Sequence, residues 1–302
     1  MKPRAALFAA LLYGLTLFAS QPAHAQSPYP AADPPRDLQY PAAMESFQLP
    51  SHGSPLNAFV YVASGAGPHP TVVLLHGFPG NEKNLDLAQA MRRAGWNVLF
   101  FHYRGSWGSP GDFSFTHCIE DAKAAVDWLR TPANAAQLRG DPKRIVLAGH
   151  SMGGFVAIET AAADPKIEAV IAISAADLGT SLAGGVQPEQ RAAFAIALGK
   201  RLESEGMAPL AGTTALKLGQ EVAANGRAWS FVAQAPKLAG RPFLAITSDD
   251  GLTPPVEALA TALQKAGSSV RTLHIATDHG YNDHRIALTV AVLDELALLD
   301  KK

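Results

Sequence analysis

The stretch that decides the fold is Arg144-Ile145-Val146-Leu147-Ala148, followed directly by Gly149-His150-Ser151-Met152-Gly153-Gly154 and by the helical segment Phe155–Ala163. A strand, a glycine-bounded turn and a helix follow without a break. Gly-x-Ser-x-Gly at such a junction sets a serine on a turn so sharp that side chains two residues to either side would collide, and it holds the serine in a strained backbone conformation. The chain holds 26 glycines in 302 residues, so the pattern alone is weak. Its setting between strand and helix gives it weight.

Working outward, further apolar runs of five or six residues recur at Thr71–Leu75, Asn97–Phe101, Ala169–Ser174, Pro242–Thr247 and Val270–Ile275. Amphipathic segments near 84–94, 117–130, 153–163, 255–266 and 282–299 lie between or after them. Strands that are apolar throughout are hidden on both faces, so the pattern predicts an open α/β fold with a mainly parallel central sheet and helices on both sides. Two alternating stretches, 45–49 and 57–63, flank Ser51-His52-Gly53-Ser54-Pro55 and predict an antiparallel pair at the start. Ligands of open α/β sheets gather at the carboxyl ends of the strands.

More than sixty residues separate Ser174 from Pro242, too many for one crossover helix. Within them Gly184–Gly206 and Thr213–Gln234 read as helical. We expect residues 178–236 to form a helical cap over the active-site edge; the alternative is a helical decoration elsewhere on the sheet.

The ends and the charge bound the setting. Met1-Lys2-Pro3-Arg4, an apolar run from Ala5 to Phe18 and Ala23-His24-Ala25 have the layout of a signal peptide cut after Ala25. That run is shorter than the roughly 20 residues of a membrane-spanning helix. A periplasmic or secreted protein without stable membrane insertion is therefore expected. Removal of 25 of the 302 residues leaves 277, enough for one large domain, and the proline-rich stretch 26–43 reads as an extended lead-in before a domain spanning 44–302. A net charge of −1 with well-mixed signs points away from nucleic acid and toward a small-molecule or peptide substrate. The sole cysteine, Cys118, opens a helical segment and reads as a small buried residue. His102, His117 and Cys118 match no metal-ligand spacing, no phosphate-binding glycine loop is present, and no cofactor is implied.

The loops after the strands carry the chemistry. Ser151 is the candidate nucleophile. Acyl transfer needs backbone N–H donors for the oxyanion, one from the residue after the nucleophile and one from the loop after the first parallel strand, here His76-Gly77-Phe78-Pro79-Gly80. Met152 supplies the first. Pro79 has no N–H, which leaves Phe78 as the second. His76 is expected only to brace this loop by a hydrogen bond. After Thr247 come Ser248-Asp249-Asp250-Gly251, where either aspartate could orient an imidazole; Asp177 is a third choice. His279 lies in the loop after Ile275 and can reach back to the strand ends, whereas His274 sits within a strand and His284 in the first turn of a helix. Trp107, near a strand end, and Tyr281, beside His279, are candidates to line a pocket; a packed loop aromatic is an equal reading of Trp107.

Together His76–Gly80, Tyr103-Arg104-Gly105-Ser106-Trp107-Gly108, Gly149–Gly154 and Asp278-His279-Gly280-Tyr281 resemble the α/β-hydrolase fold, in the branch holding prolyl-oligopeptidase-like hydrolases, serine aminopeptidases and related esterases. The resemblance runs from about Glu45 to the C-terminus. In that family the acid stands four residues before a proline, as Asp250 does before Pro254 and Asp249 does not, and the histidine precedes a small residue and an aromatic, as His279 does. The resemblance thus implies the triad Ser151, Asp250 and His279. Fewer than fifty residues of this sequence precede the resembling stretch, so the β-propeller of the large peptidases is not expected, and residues 178–236 match no substrate class. The expected activity is carboxylic ester hydrolysis, with a small aminopeptidase or amidase as the alternative and a non-catalytic binding protein as the rival from another class. A neutral histidine base predicts activity that declines on the acid side, with an apparent pKa near 6–7.

Overall fold

The computed structural model describes residues 32–180 and 185–301. The expected signal peptide and residues 26–31 of the lead-in lie outside them, as do residues 181–184 of the expected cap. Residues 32–42 carry neither helix nor strand.

The chain then forms β1 (Ala43–Ser51), β2 (Ser54–Val62), β3 (His69–Leu75), α1 (Leu85–Arg93), β4 (Asn97–Phe101), α2 (Phe115–Arg130), α3 (Pro132–Gln137), β5 (Gly140–His150), α4 (Met152–Ala163) and β6 (Ala169–Ile173). After these come α5 (Arg191–Ser204), α6 (Ala215–Asn225), α7 (Phe231–Leu238), β7 (Phe243–Thr247), α8 (Thr253–Lys265), β8 (Val270–His274) and α9 (Arg285–Leu299). The eight strands form one sheet in the order β1-β2-β4-β3-β5-β6-β7-β8. The first pair is antiparallel, β2 runs antiparallel to β4, and β4, β3 and β5 to β8 are parallel. This is the α/β-hydrolase fold expected from the sequence.

The central strands carry apolar residues on both faces through their middles because each face has its own core. Val73, Leu75, Leu147, Val170 and Ala245 point to one side, toward α2, α4, α8 and residues of the 178–236 segment. Val72, Leu74, Val146, Ile171 and Ile246 point to the other, toward α1 and α9. Each fully buried Val, Leu or Ile contributes about 1.5–3 kcal/mol. Edge strand β8 is largely exposed.

Two readings of the middle segment are corrected. Helix α5 begins at Arg191, after a 3₁₀ turn at Pro188–Gln190, because Pro188 lacks an N–H and fits only a first turn. The stretch 213–234 is two helices rather than one: the chain turns after Asn225 to bury Trp229 edge-on to Phe155 and Phe115 at 5.2 and 6.5 Å. Helix α3 was not foreseen.

The segment is tied down from several sides. Asp177 accepts the N–H groups of Gly179 (2.7 Å) and Phe231 (3.1 Å), so this third-choice acid serves as an anchor. Glu221 of α6 accepts from the N–H groups of Phe115 and Thr116 at the start of α2. Residues 209–211 pair with 105–113 through Trp107 N–H to Pro209 O (2.9 Å), Ala211 N–H to Gly105 O (2.8 Å) and Phe113 N–H to Ala211 O (2.9 Å).

That receiving loop is built on a buried ion pair. Asp121, with no exposed surface, accepts from Arg104 Nε (2.6 Å), Arg104 N–H (2.8 Å) and Ser51 Oγ (2.6 Å), while Arg104 also reaches Glu120 and His117 O. Removing one partner strands the other charge. Asp121→Ala should therefore lower stability by about 3–5 kcal/mol, read from urea unfolding.

Candidate active site

The parallel register brings the chemistry to one edge. Leu75 pairs with Gly149, His150 with Ile173, Ile173 with Ile246 and Thr247 with His274, so the carboxyl ends of five adjacent strands lie side by side. The loops that leave them carry His76–Gly80, Ser151, Ser174, Ser248–Asp250 and His279.

Ser151 stands between β5 and α4 with φ 57° and ψ −122°, the left-handed side of backbone space for a residue with a side chain. Its N–H donates to Ile173 O (2.9 Å), and its carbonyl accepts from Gly154 and Ala176 (3.0 Å each). The flanking glycines are steric requirements: a Cβ on Gly149 would sit 2.0 Å from Gly153 O, and one on Gly153 would sit 2.1 Å from Leu75 O. Gly77 lies against the serine, with a virtual Cβ 3.0 Å from Ser151 Cβ and 3.5 Å from its Oγ. The loop expected to carry the second oxyanion donor is therefore beside the serine. The N–H of Met152 opens α4, where no intrahelical acceptor exists, and neither it nor that of Phe78 is engaged by a backbone acceptor among the described residues.

The loop is braced as its residues suggested. His76, fully buried, donates from Nδ1 to Gly77 O (2.8 Å), and burial drives its pKa down to about 3, so it is neutral. Trp107 donates from Nε1 to Pro79 O (2.8 Å), with the Lys83 ammonium 4.0 Å from its ring. Its indole supports the His76–Gly80 loop. Cys118 is fully buried and its thiol is pushed well up by burial.

Asp250 and His279 meet directly. His279 Nδ1 donates to Asp250 Oδ2 at 2.7 Å, and Asp250 Oδ1 accepts the Leu252 N–H at 2.8 Å. The carboxylate side chain is 6 % exposed and the imidazole 40 %, so the acid is sheltered while the histidine faces solvent. Burial raises the Asp250 pKa, but hydrogen bonds from His279, Leu252 N–H, Ser174 and Ser248 together hold it below its ordinary value. Asp249 instead contacts His274 Nε2 (3.1 Å), and His284 pairs with Asp283 (2.9 Å). Neither alternative histidine meets Asp250.

Three residues fix the histidine loop without having been singled out beforehand. His150 Nε2–H donates to His279 O (2.7 Å), its ring centroid 4.6 Å from that of His279. Burial lowers the His150 pKa to about 4. Arg285 donates to Gly280 O (2.9 Å) while gripping Asp86 and Asn84 at the start of α1. Ser174 Oγ contacts both Ser248 Oγ and Tyr281 OH at 2.9 Å. Tyr281 is therefore no pocket residue: it has no exposed surface, and its ring packs in the core. Only the identity of His150, inside the serine motif, was a visible signal.

The family model described as the alpha/beta hydrolase family matches residues 72–292. The chain belongs to that family. Rv2307c, an uncharacterised protein of Mycobacterium tuberculosis, is 29 % identical over 172 residues, which cover 56 % of this chain and 59 % of that protein. The match thus spans less than two thirds of that relative. Among solved structures, EstE1, a thermostable carboxylesterase cloned from a metagenomic library, superposes with a TM-score of 0.62 at 23 % identity, covering 87 % of this chain and 91 % of that one. The acylaminoacyl peptidase of Pyrococcus horikoshii gives 0.61 at 19 %, covering 86 % of this chain and 42 % of that one. At such identities these likenesses speak for the fold of this alpha/beta hydrolase.

A group whose folded pKa is depressed stabilises the fold above its unfolded value, near 4 for aspartate, and that contribution is lost as pH falls through the lower folded value. In urea titrations across pH 2–7, the stability advantage of wild type over Asp250→Asn should be constant near neutrality and should shrink below about pH 4.

Proposed function

We propose that this alpha/beta hydrolase is an exported carboxylic ester hydrolase that works through a Ser151-linked acyl-enzyme. One observation carries the reading: a sheltered aspartate holds His279 by Nδ1, in a loop whose carbonyl is held by His150, the neighbour of a serine on a strained turn. Donation from Nδ1 leaves the Nε2 lone pair of the neutral imidazole as the base.

In the proposed cycle His279 Nε2 takes the Ser151 hydroxyl proton as Oγ attacks the ester carbonyl. The N–H groups of Met152 and Phe78 receive the negative charge that develops on the carbonyl oxygen. Asp250 keeps the imidazole in the needed tautomer and balances its charge while it is protonated. The imidazolium gives its proton to the departing alkoxide, leaving an ester to Ser151. A water deprotonated by the same nitrogen then attacks that ester, and Ser151 recovers its proton as the acid departs.

Export rests on the layout of residues 1–25, and a small-molecule or peptide substrate on the balanced charge. A peptidase reading has one observation in its favour. The Glu205 carboxylate, which caps the C-terminal end of α5, lies within electrostatic range of His279, and recognition of a free amino terminus calls for such a charge.

Wild type should hydrolyse short-chain 4-nitrophenyl esters faster than aminoacyl 4-nitroanilides and should label with a fluorophosphonate. Ser151→Ala should lose at least about 10⁴-fold in kcat and Asp250→Asn about 10³–10⁴-fold, with circular dichroism unchanged. Near-normal turnover by Ser151→Ala would overturn the mechanism, and faster anilide cleavage would favour the peptidase.

A further inference from the structure

Two histidines meet at the root of the loop that lies against Ser151, and the proposed cycle uses neither as a base. Leu74 of β3 pairs with Phe100 of β4, so His76 and His102, each two residues further on, leave neighbouring strands side by side. His102 Nδ1 stands 3.4 Å from His76 Nε2, with the ring centroids 5.3 Å apart in an edge-on arrangement. His76 is buried and His102 half-buried.

Hydrogen bonding fixes both tautomers. Gly77 O only accepts, so His76 Nδ1, 2.8 Å from it, carries that ring's proton. His76 Nε2 is then a bare acceptor, and the His102 Nδ1 that faces it is the donor. Each ring needs one proton and no charge. Burial first, and the Lys83 ammonium after it, lower the His102 pKa to about 4 and that of His76 to about 3, so both rings are neutral near neutral pH.

What the two rings hold is a peptide plane. The Gly77–Phe78 peptide is trans, so its C=O and N–H point to opposite sides of one rigid unit. A donor on Gly77 O therefore sets the direction of the Phe78 N–H, the group assigned above to the oxyanion. Neighbouring carbonyls are held from the same stretch of chain: Tyr103 OH donates to His76 O (3.2 Å) and Trp107 Nε1 to Pro79 O (2.8 Å). The loop is wrapped closely on these rings, since a Cβ on Gly80, at φ 102°, would stand 2.8 Å from His76 Nδ1 and 2.5 Å from Trp107 Nε1.

We infer that His102 is a positioning residue for the Phe78 oxyanion donor: its Nδ1–H holds the His76 imidazole, and through it the Gly77–Phe78 peptide. The inference rests on the acyl-transfer reading above and adds one residue to it. Without the His102 donor, His76 Nε2 becomes a buried acceptor with no partner, and a ring that shifts to find one loosens its own bond to Gly77 O. The Phe78 N–H is then less firmly aimed, and a donor that must reorganise stabilises less of the developing charge. Ground-state binding of the substrate hardly draws on that donor, so the effect falls on kcat and not on KM.

The test compares wild type with His102→Phe and His102→Leu, which fill the site without a donor, and with His102→Asn, whose amide N–H₂ takes the place of Nδ1–H. The proton on His76 Nδ1 is followed by ¹H–¹⁵N NMR, assigned with His76→Gln, and kcat and KM are measured on 4-nitrophenyl acetate with active sites counted by fluorophosphonate. In His102→Phe and His102→Leu that proton should exchange with solvent at least about 10-fold faster and kcat should fall about 10-fold, with KM within about twofold, while His102→Asn stays within about threefold of wild type in all three. A residue that only fills space predicts the opposite order, because a Phe ring keeps the contacts with Phe100 and Trp107 that Asn gives up. That order, an unchanged exchange rate or kcat in the apolar variants, or a loss carried by KM would overturn the inference. The His76 proton is read without turnover, so a protein without esterase activity would refute the proposed function and leave the His102–His76 contact to be judged by the exchange rate alone.

Discussion

The strained turn at Ser151 is the constraint on which the rest depends. A residue with a side chain at positive φ costs about 1–3 kcal/mol, so it persists only where its neighbours leave no alternative. Here they do so with backbone groups: β6 receives the Ser151 N–H through Ile173 O, and Ala176 returns a donor to the Ser151 carbonyl. Gly149 and Gly153 remove the atoms that would otherwise collide. The position of β6 beside β5, set by the paired strands Val146–His150 and Ala169–Ile173, which are buried at every position, is thus what keeps the serine side chain at the sheet edge.

The acid and the base answer to different environments. Asp250 is sheltered, and left alone burial would favour its neutral form, but the donors around it reverse that preference. His279 is far more open, its ring edge facing solvent. Its loop cannot wander, since His150 holds its carbonyl and Arg285 ties the next residue to α1. Rigidity therefore resides in the backbone of the loop and freedom in the solvent-facing edge of the ring.

The segment between β6 and β7 belongs to the same construction. Leu202, Leu218, Val222, Trp229 and Phe231 join the core on the α4 side of the sheet, so it is packed in and not merely appended. Its contact with residues 105–113 depends in turn on the buried Arg104–Asp121 pair, which links the β1–β2 hairpin, through Ser51, to that loop.

The sequence by itself determined the architecture and marked Ser151, the loop that lies against it and His279 as candidates, because each has a local signature: apolar strands, a glycine-bounded turn, a proline that removes one donor, a loop placement. For the acid, residue chemistry left Asp249 and Asp250 equal, and only the resemblance separated them. Tertiary structure decided the choice, since which of two adjacent carboxylates turns inward depends on the path of β7 relative to the loop after β8, twenty-nine residues later. Tyr281 shows the same limit. An aromatic beside the loop histidine reads equally well as a pocket wall or a core residue, and its place was settled by hydrogen bonding to Ser174, 107 residues away. Local pattern records what the neighbouring backbone requires; a hydrogen bond between distant segments leaves no spacing to read, because it exists only once the sheet has brought the strand ends together.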